Sequence, residues 1–277
     1  MRIDAHQHFW KYDPCRDGWI NEEMKVLRRD FMPEDLAPLL RQDKIDACVA
    51  VQADQSEDET HFLLGLSDRY NFVKGVVGWV DLCADDIEDR LDYFSGFENL
   101  RGFRHIIQAE PENEFMLRPD FCRGISGLSQ YGFTYDLLVQ PRHLPSLLKF
   151  VGRFPDQSFV IDHLAKPSIQ TGKIDEWKQG IEKLAAFENV FCKLSGMVTE
   201  ADLNHWKATD FKPYIDAVIG SFGIDRIMFG SDWPVCLLGT SYDKCCSILA
   251  QNTSELTVSE KAKLWGLNAA KFYGLPV

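Results

Sequence analysis

Two histidines one residue apart, His6 and His8, stand in the apolar run Ile3-Asp4-Ala5-His6-Gln7-His8-Phe9-Trp10. Side chains two apart in a strand share a face, so the two imidazoles would point the same way. Such a pair can share a metal ion or grip one polar atom of a substrate. Asp162-His163 and Gly230-Ser231-Asp232-Trp233-Pro234 each end a comparable apolar run. Asp232 follows Ile227-Met228-Phe229-Gly230, which sets its backbone deep in a fold. A carboxylate there needs a partner, a metal or a chemical role. Three polar clusters at the ends of three apolar runs point to one site. His61, His143 and His205 fall in helical or loop stretches and read as bystanders.

The chemistry open to this set is attack of water on a carbonyl. Asp232 would be the general base, because a positioned carboxylate can take a proton from water. His6, His8 and His163 would surround the carbonyl oxygen as hydrogen-bond donors or through a bound zinc ion. No G-x-S-x-G elbow occurs, which argues against a serine nucleophile.

Periodicity supplies the elements that must position these groups. Apolar runs at residues 3–9, 47–53, 72–80, 100–106, 133–139, 159–163, 190–194 and 226–230 read as strands. Many are continuous Val/Ile/Phe stretches, as buried parallel strands are. Helices fit between them. Pro33 is a first-turn residue ahead of 36–42. Ser56-Glu57-Asp58-Glu59 is a capping box ahead of 61–70. Further amphipathic runs lie at 85–94, 119–131, 144–153, 175–187 and 212–222. Thr257-Val258-Ser259-Glu260 caps a last helix that reaches Tyr273 and stops at Gly274. This alternation predicts an α/β fold, a single-domain (β/α)8 TIM barrel over residues 1–277. A doubly wound open sheet is disfavoured, since no Gly-rich phosphate turn follows the first strand.

A barrel carries its chemistry at the C-terminal ends of its strands. Polar residues near those ends are Gln52 and Asp54, Trp79 and Asp81, Arg101, Arg104 and His105, Tyr135 and Asp136, Lys166, and Lys193 and Ser195. Alternation groups His6 with His8, Phe159 and Ile161 with His163, and Met228 and Gly230 with Asp232. Trp10, Trp79 and Trp233 would offer aromatic faces on which a substrate ring stacks. Gln52, Arg104 and Tyr135 would bond hydroxyls or a ring oxygen, and Arg101 would help to hold an anionic group. Asp54 and Asp81 read as loop or cap residues. Asp136 reads equally as a buried structural acid, and Lys193 as the partner of a neighbouring acid. Lys166, beside Pro167, reads as structural.

A formal charge of −12 over 277 residues argues against nucleic acid and for a small-molecule substrate. Eight cysteines without C-x-x-C spacing, behind a first strand with no leader, read as reduced thiols of a cytoplasmic protein. No apolar run reaches membrane-spanning length, and the oligomeric state is left open.

At these residues the chain resembles the amidohydrolase superfamily: His6-x-His8 on the first strand, His163 on the sixth and Asp232 on the eighth. It is most similar to the superfamily's lactone-opening branch. The likeness rests on Asp4–Trp10, Arg101-Gly102-Phe103-Arg104, Asp162-His163-Leu164-Ala165-Lys166-Pro167, Lys193-Leu194-Ser195-Gly196, Phe229–Pro234 and Asn268–Leu275. It implies a hydrolase acting on a carboxylic ester, the lactone of a sugar acid such as L-fuconolactone or L-rhamnonolactone. Relatives with the same barrel also imply an alternative, a single-metal decarboxylase of an aromatic or unsaturated acid. Binuclear members carry a carboxylated Lys or a Glu on strand four and a His on strand five. Here those places hold Arg104-His105 and Tyr135-Asp136. The resemblance thus implies no metal or one divalent ion, zinc, among His6, His8, His163 and Asp232.

Overall fold

The computed structural model describes residues 1–276. Its eight strands are β1 (Ile3–Gln7), β2 (Ala47–Val51), β3 (Val73–Gly78), β4 (Leu100–His105), β5 (Thr134–Leu137), β6 (Phe159–Ile161), β7 (Val190–Leu194) and β8 (Ile227–Phe229). They pair in sequence order, each parallel to the next. Two backbone bonds bring the last strand's end to the first: His8 N–H to Trp233 O at 2.7 Å and Asp232 N–H to His6 O at 2.8 Å. The result is the (β/α)8 barrel that the alternation predicts. The bonds that draw the ring together are made by the residues of the candidate site.

The main outer helices are α1 (Pro33–Asp43), α2 (Glu57–Arg69), α3 (Ile87–Ser95), α4 (Pro119–Leu128), α5 (Leu144–Val151), α6 (Asp175–Ala185), α7 (Lys212–Phe222) and α8 (Tyr242–Asn252). The α8 helix is absent from the sequence reading. It buries a narrow face of Tyr242, Cys246, Ile248 and Leu249 within a polar run, too sparse to stand out as a period. The expected last helix is two pieces, α9 (Val258–Ala262) and α10 (Asn268–Tyr273), joined by a π turn at Lys263–Leu267. Ser56 caps α2 by accepting from Glu59 N–H at 3.2 Å. The Glu59 carboxylate turns instead to Ala53 N–H at 2.6 Å, which ties the loop after β2 to the helix.

Two apolar layers hold the barrel. The larger lies between strands and helices. The inner one joins Ile3, Ala5, Val49, Val77, Val160 and Met228 to Phe272 and Tyr273 of α10, which plug the N-terminal end. Above this plug the barrel interior turns polar. Strand alternation does not place every site residue there. Phe159 and Ile161 of β6 face the helices, whereas Val160 is in the inner layer. The expected grouping of His163 with Phe159 and Ile161 is therefore wrong. The strand ends at Ile161, and His163 has φ 52°, a left-handed turn that carries it away from the strand's alternation. On β1 the pairing register shifts between Asp4 and Gln7, and His6 and His8 both come to face the site.

Candidate active site

His6, His8, His163 and Asp232 meet at the C-terminal mouth of the barrel. Asp232 Oδ1 lies 3.9 Å from His6 Nε2, 3.4 Å from His8 Nε2 and 3.8 Å from His163 Nε2. The His6 ring centroid is 4.9 Å from that of His8 and 4.4 Å from that of His163. Each imidazole is oriented through its other nitrogen. His8 Nδ1–H donates to Val51 O at 2.7 Å, and His6 Nδ1 lies 3.2 Å from Asp162 Oδ1. His163 Nδ1 lies 2.9 Å from Ser195 Oγ. Three Nε2 atoms are thereby turned toward one carboxylate oxygen.

All four side chains are buried, which penalises their charged forms. Burial pushes His6 well below its ordinary value, against the pull of Asp162, and does the same to His163 against Asp232. Burial alone would raise Asp232, but His163, the His8 contact and the Lys166 charge outweigh it and hold the carboxyl below the usual range. At neutral pH the site therefore holds the Asp232 carboxylate beside an uncharged His6.

A chain of buried charges supports His6 from below. Lys193 Nζ lies 2.5 Å from Asp136 Oδ2 and 2.9 Å from Asp162 Oδ1. Arg104 Nη1 donates to Asp162 Oδ2 at 3.0 Å and lies 3.3 Å from His6 Nε2. Tyr273 O–H, from the plug, donates to Asp136 at 2.9 Å. Burial raises Asp162, yet Lys193, His6 and Arg104 together hold it well below the carboxylate range. Asp136 moves the other way, pushed up to about 6 by burial against the charge of Lys193. Of the alternatives left open by the sequence, Lys193 pairs with neighbouring acids and Asp136 is a buried, hydrogen-bonded one.

The geometry fits a single small cation. His8 gives its Nδ1 proton to Val51 O, so the Nε2 lone pair of a neutral ring would face a carboxylate oxygen with nothing between them. A proton or a metal ion resolves that clash. Imidazole nitrogens with one carboxylate oxygen are a donor set that zinc accepts. His6, His8 and Asp232 form one group with ligand atoms mutually within 4.8 Å; His6, Asp162 and His163 form another. The second is already served by the cations Lys193 and Arg104 on Asp162. Metal analysis of the purified chain should therefore give no more than one ion per chain, and His8→Ala should lower its uptake. Two metals about 3.5–4 Å apart in an anomalous map would contradict this.

The mouth opens into a cavity of about 460 Å³, lined by His8, Arg104, His163 and Asp232. Trp10 also lines it, as the notional stacking residue requires, with its Nε1–H bonded to Arg29 O at 3.0 Å. Other expected substrate contacts lie outside this lining. Trp233 packs edge-on against Phe9 and Phe31 behind the site. Trp79 donates Nε1–H to His105 Nδ1 at 3.4 Å on the outer side of the sheet. Tyr135 is fully buried between the barrel and Phe121, and its hydroxyl accepts from His105 N–H at 3.3 Å. Gln52 is buried too, with its side-chain Nε2–H donated to Arg104 O at 3.0 Å while its backbone carbonyl accepts from the Arg104 guanidinium. Its place is beneath Arg104. Arg101 is the second residue of β4 and lines a groove with Thr134 and Gly274 at the barrel's other end. Apolar runs place strand ends, not the faces on which these side chains lie.

The wall has parts that the sequence did not reveal. Trp19 and Met24 come from the long loop after β1, and Leu203 from the loop after β7. Loop residues brought together from distant positions leave no local period. Lys166 and Glu200, paired at 3.2 Å, also line the cavity. Gly196, at φ 61°, sits where a Cβ would come within 2.4 Å of His163 Nδ1. Gly196→Ala should displace His163 and lower kcat by about 10²-fold, as misplacement near 1 Å can. Acid release from substrate checks this, with a melting curve to confirm the fold.

The barrel and its mouth define an enzyme-like site of the H-x-H, His and Asp type, open to a small molecule. The chain belongs to the Amidohydrolase family, whose model matches residues 3–275. It is 41% identical to an L-fucono-1,5-lactonase of Burkholderia multivorans, over 100% of this chain and 97% of that one. An L-fucono-1,5-lactonase of Burkholderia ambifaria is 37% identical, over 99% and 95%. A crystal structure of an amidohydrolase from Burkholderia multivorans with bound zinc superposes with a TM-score of 0.96 at 41% identity, covering 100% of both chains. Among the described residues, no helix is long and apolar enough to cross a membrane.

Proposed function

We propose that this chain is a lactone hydrolase that opens a sugar-acid lactone, of the L-fucono-1,5 type, by attack of water. The observation that carries this reading is the Asp232 carboxylate, buried at the cavity floor with three Nε2 atoms aimed at one of its oxygens. Asp232 Oδ1 faces the imidazoles, which leaves Oδ2 to take a proton from water as its oxygen adds to the carbonyl carbon. Arg104, in the cavity wall beside His6, adds a fixed positive charge where negative charge gathers on the carbonyl oxygen, and a proton or cation shared by the imidazole Nε2 atoms would add to it. A zinc ion held by these histidines and Asp232 would supply Lewis-acid polarisation of that carbonyl. Trp10 and Trp19, edge to face at 5.9 Å, offer an apolar wall for a sugar ring. The names of both Burkholderia relatives support the same substrate class.

The decarboxylase alternative needs a cationic pocket for the substrate carboxylate. Both cations in the cavity wall are already matched, Arg104 by Asp162 at 3.0 Å and Lys166 by Glu200 at 3.2 Å. That favours a neutral polyol over an anion. A pH-indicator screen over a panel of aldonolactones tests the proposal, since each opening releases one acid. Acid release above the spontaneous rate, fastest with six-carbon lactones, is the expected outcome. No release from any lactone, together with carbon dioxide from an aromatic acid, would overturn it.

A further inference from the structure

We propose that Lys166 is a further catalytic residue of this site, its ammonium giving the proton that the ring oxygen takes up as the lactone opens. The inference rests on the lactone reading above and begins with the backbone. His163, Leu164, Ala165 and Lys166 have φ of 52°, 54°, 57° and 52°, four successive left-handed residues without a glycine. Each L-residue in that conformation is strained, because its Cβ crowds the following carbonyl oxygen. Such strain persists only where the surroundings hold it, and it gathers at functional sites. Here Lys166 N–H donates to His163 O at 2.7 Å and Trp177 Nε1–H to Leu164 O at 2.7 Å, while Leu164 and Ala165 are fully buried. The consequence is that His163 and Lys166, three residues apart, both line the cavity above Asp232.

Chemistry then assigns the role. Opening the ring releases an alkoxide, which is far too basic to leave without a proton. The floor of the cavity has little to offer. Asp232 takes up the proton of the attacking water and has Oδ1 turned to the Nε2 atoms of His6, His8 and His163, and His163 Nδ1 faces Ser195 Oγ. The Nδ1 proton of His8 is held by Val51 O, and His6 Nδ1 faces Asp162. Arg104 gives N–H bonds to Asp162 and to Gln52 O, and a guanidinium does not release its proton. Lys166 carries protons it can transfer. Its Nζ is steadied 3.2 Å from Glu200 Oε1, and the two side chains remain 20% and 23% exposed, open to the cavity.

The step balances. The water oxygen bonds to the carbonyl carbon and its proton goes to Asp232. The ring C–O bond breaks, its electron pair stays on the ring oxygen, and that oxygen takes a proton from Lys166. The new carboxylic acid returns a proton to Lys166, Asp232 releases its own to solvent, and one proton is liberated per turnover.

Two variants test this against whichever aldonolactone the wild type opens. Lys166→Arg keeps the charge and the pair with Glu200 but cannot transfer a proton. It should lower kcat by about 10²-fold, the size of a lost general acid, while KM changes by less than about threefold. Lys166→Ala should fall at least as far, and ethylammonium added to it should restore kcat in a saturable manner, which a merely structural lysine would not allow. A Lys166→Arg enzyme that keeps kcat within about threefold of wild type, or loses only KM, overturns the assignment and leaves the proton to Asp232. A wild type that opens no lactone would instead fail the underlying reading.

Discussion

Asp232→Asn lowers kcat for lactone opening by roughly 10²–10⁴-fold, with a modest change in KM, if the carboxylate is the general base. The amide has the size of the acid but cannot take the proton of the attacking water. Ground-state contacts survive, because the Trp10 wall, His8 and Arg104 line the cavity independently of that oxygen. The pH dependence follows from the same geometry. Burial raises the Asp232 carboxyl, but His163, His8 and Lys166 outweigh it and hold it below the usual range. The base is thus ionised throughout neutral and mildly acid pH. The acid limb of kcat/KM should fall below the ordinary carboxylate range and vanish in the Asn variant. Steady-state rates on a soluble aldonolactone check both. An Asn variant within a few-fold of wild type would make Asp232 a structural acid.

Lys193→Met destabilises the barrel by about 3–5 kcal/mol, the cost of removing one partner from a buried ion network. Lys193, Asp136 and Asp162 have no solvent-exposed side-chain surface, and the lysine contacts both acids. Without it, two carboxylates share the barrel interior with Arg104 as the nearer charge. A drop in Tm of order 10 °C at neutral pH is expected. The sign with pH is fixed. Asp136 already titrates at about 6 through burial, and losing Lys193 raises it further. An acid whose folded value is raised loses stability as pH rises from its unfolded value, near 4, to its folded one. The deficit should therefore be largest at neutral pH and shrink toward pH ~4. Thermal melts of wild type and variant across that range check this, and an unchanged Tm would mean that the network is dispensable.

The parts of this molecule that were legible in the sequence are those built from local repetition. Eight apolar runs separated by amphipathic ones give the barrel, and the H-x-H on β1 and the acid after β8 fall at strand ends. His163 follows the end of β6 as its apolar run predicts, but not on the face that alternation gives it. Its place comes from a left-handed turn that no periodicity encodes, and the same turn brings Lys166 into the cavity. Trp233, Trp79 and Tyr135 were drawn to the site by chemical type, yet their rings fill the layers behind it. Trp19, Met24, Leu203 and Glu200 line the cavity from loops whose approach depends on the finished fold. The Asp136–Lys193–Asp162 network could be guessed only as separate charged residues on buried strands, because its pairing runs across three strands.

Single-turnover opening of L-fucono-1,5-lactone in ¹⁸O-water, with enzyme in excess, examines water attack and the role of Asp232 together. Direct attack by a water that Asp232 deprotonates puts one ¹⁸O into the product carboxylate on the first turnover and leaves the Asp232 peptide unlabelled. An unlabelled first product, with ¹⁸O appearing later in Asp232, would mean that the carboxylate is a nucleophile. A lactone left unopened would contradict the assigned activity itself.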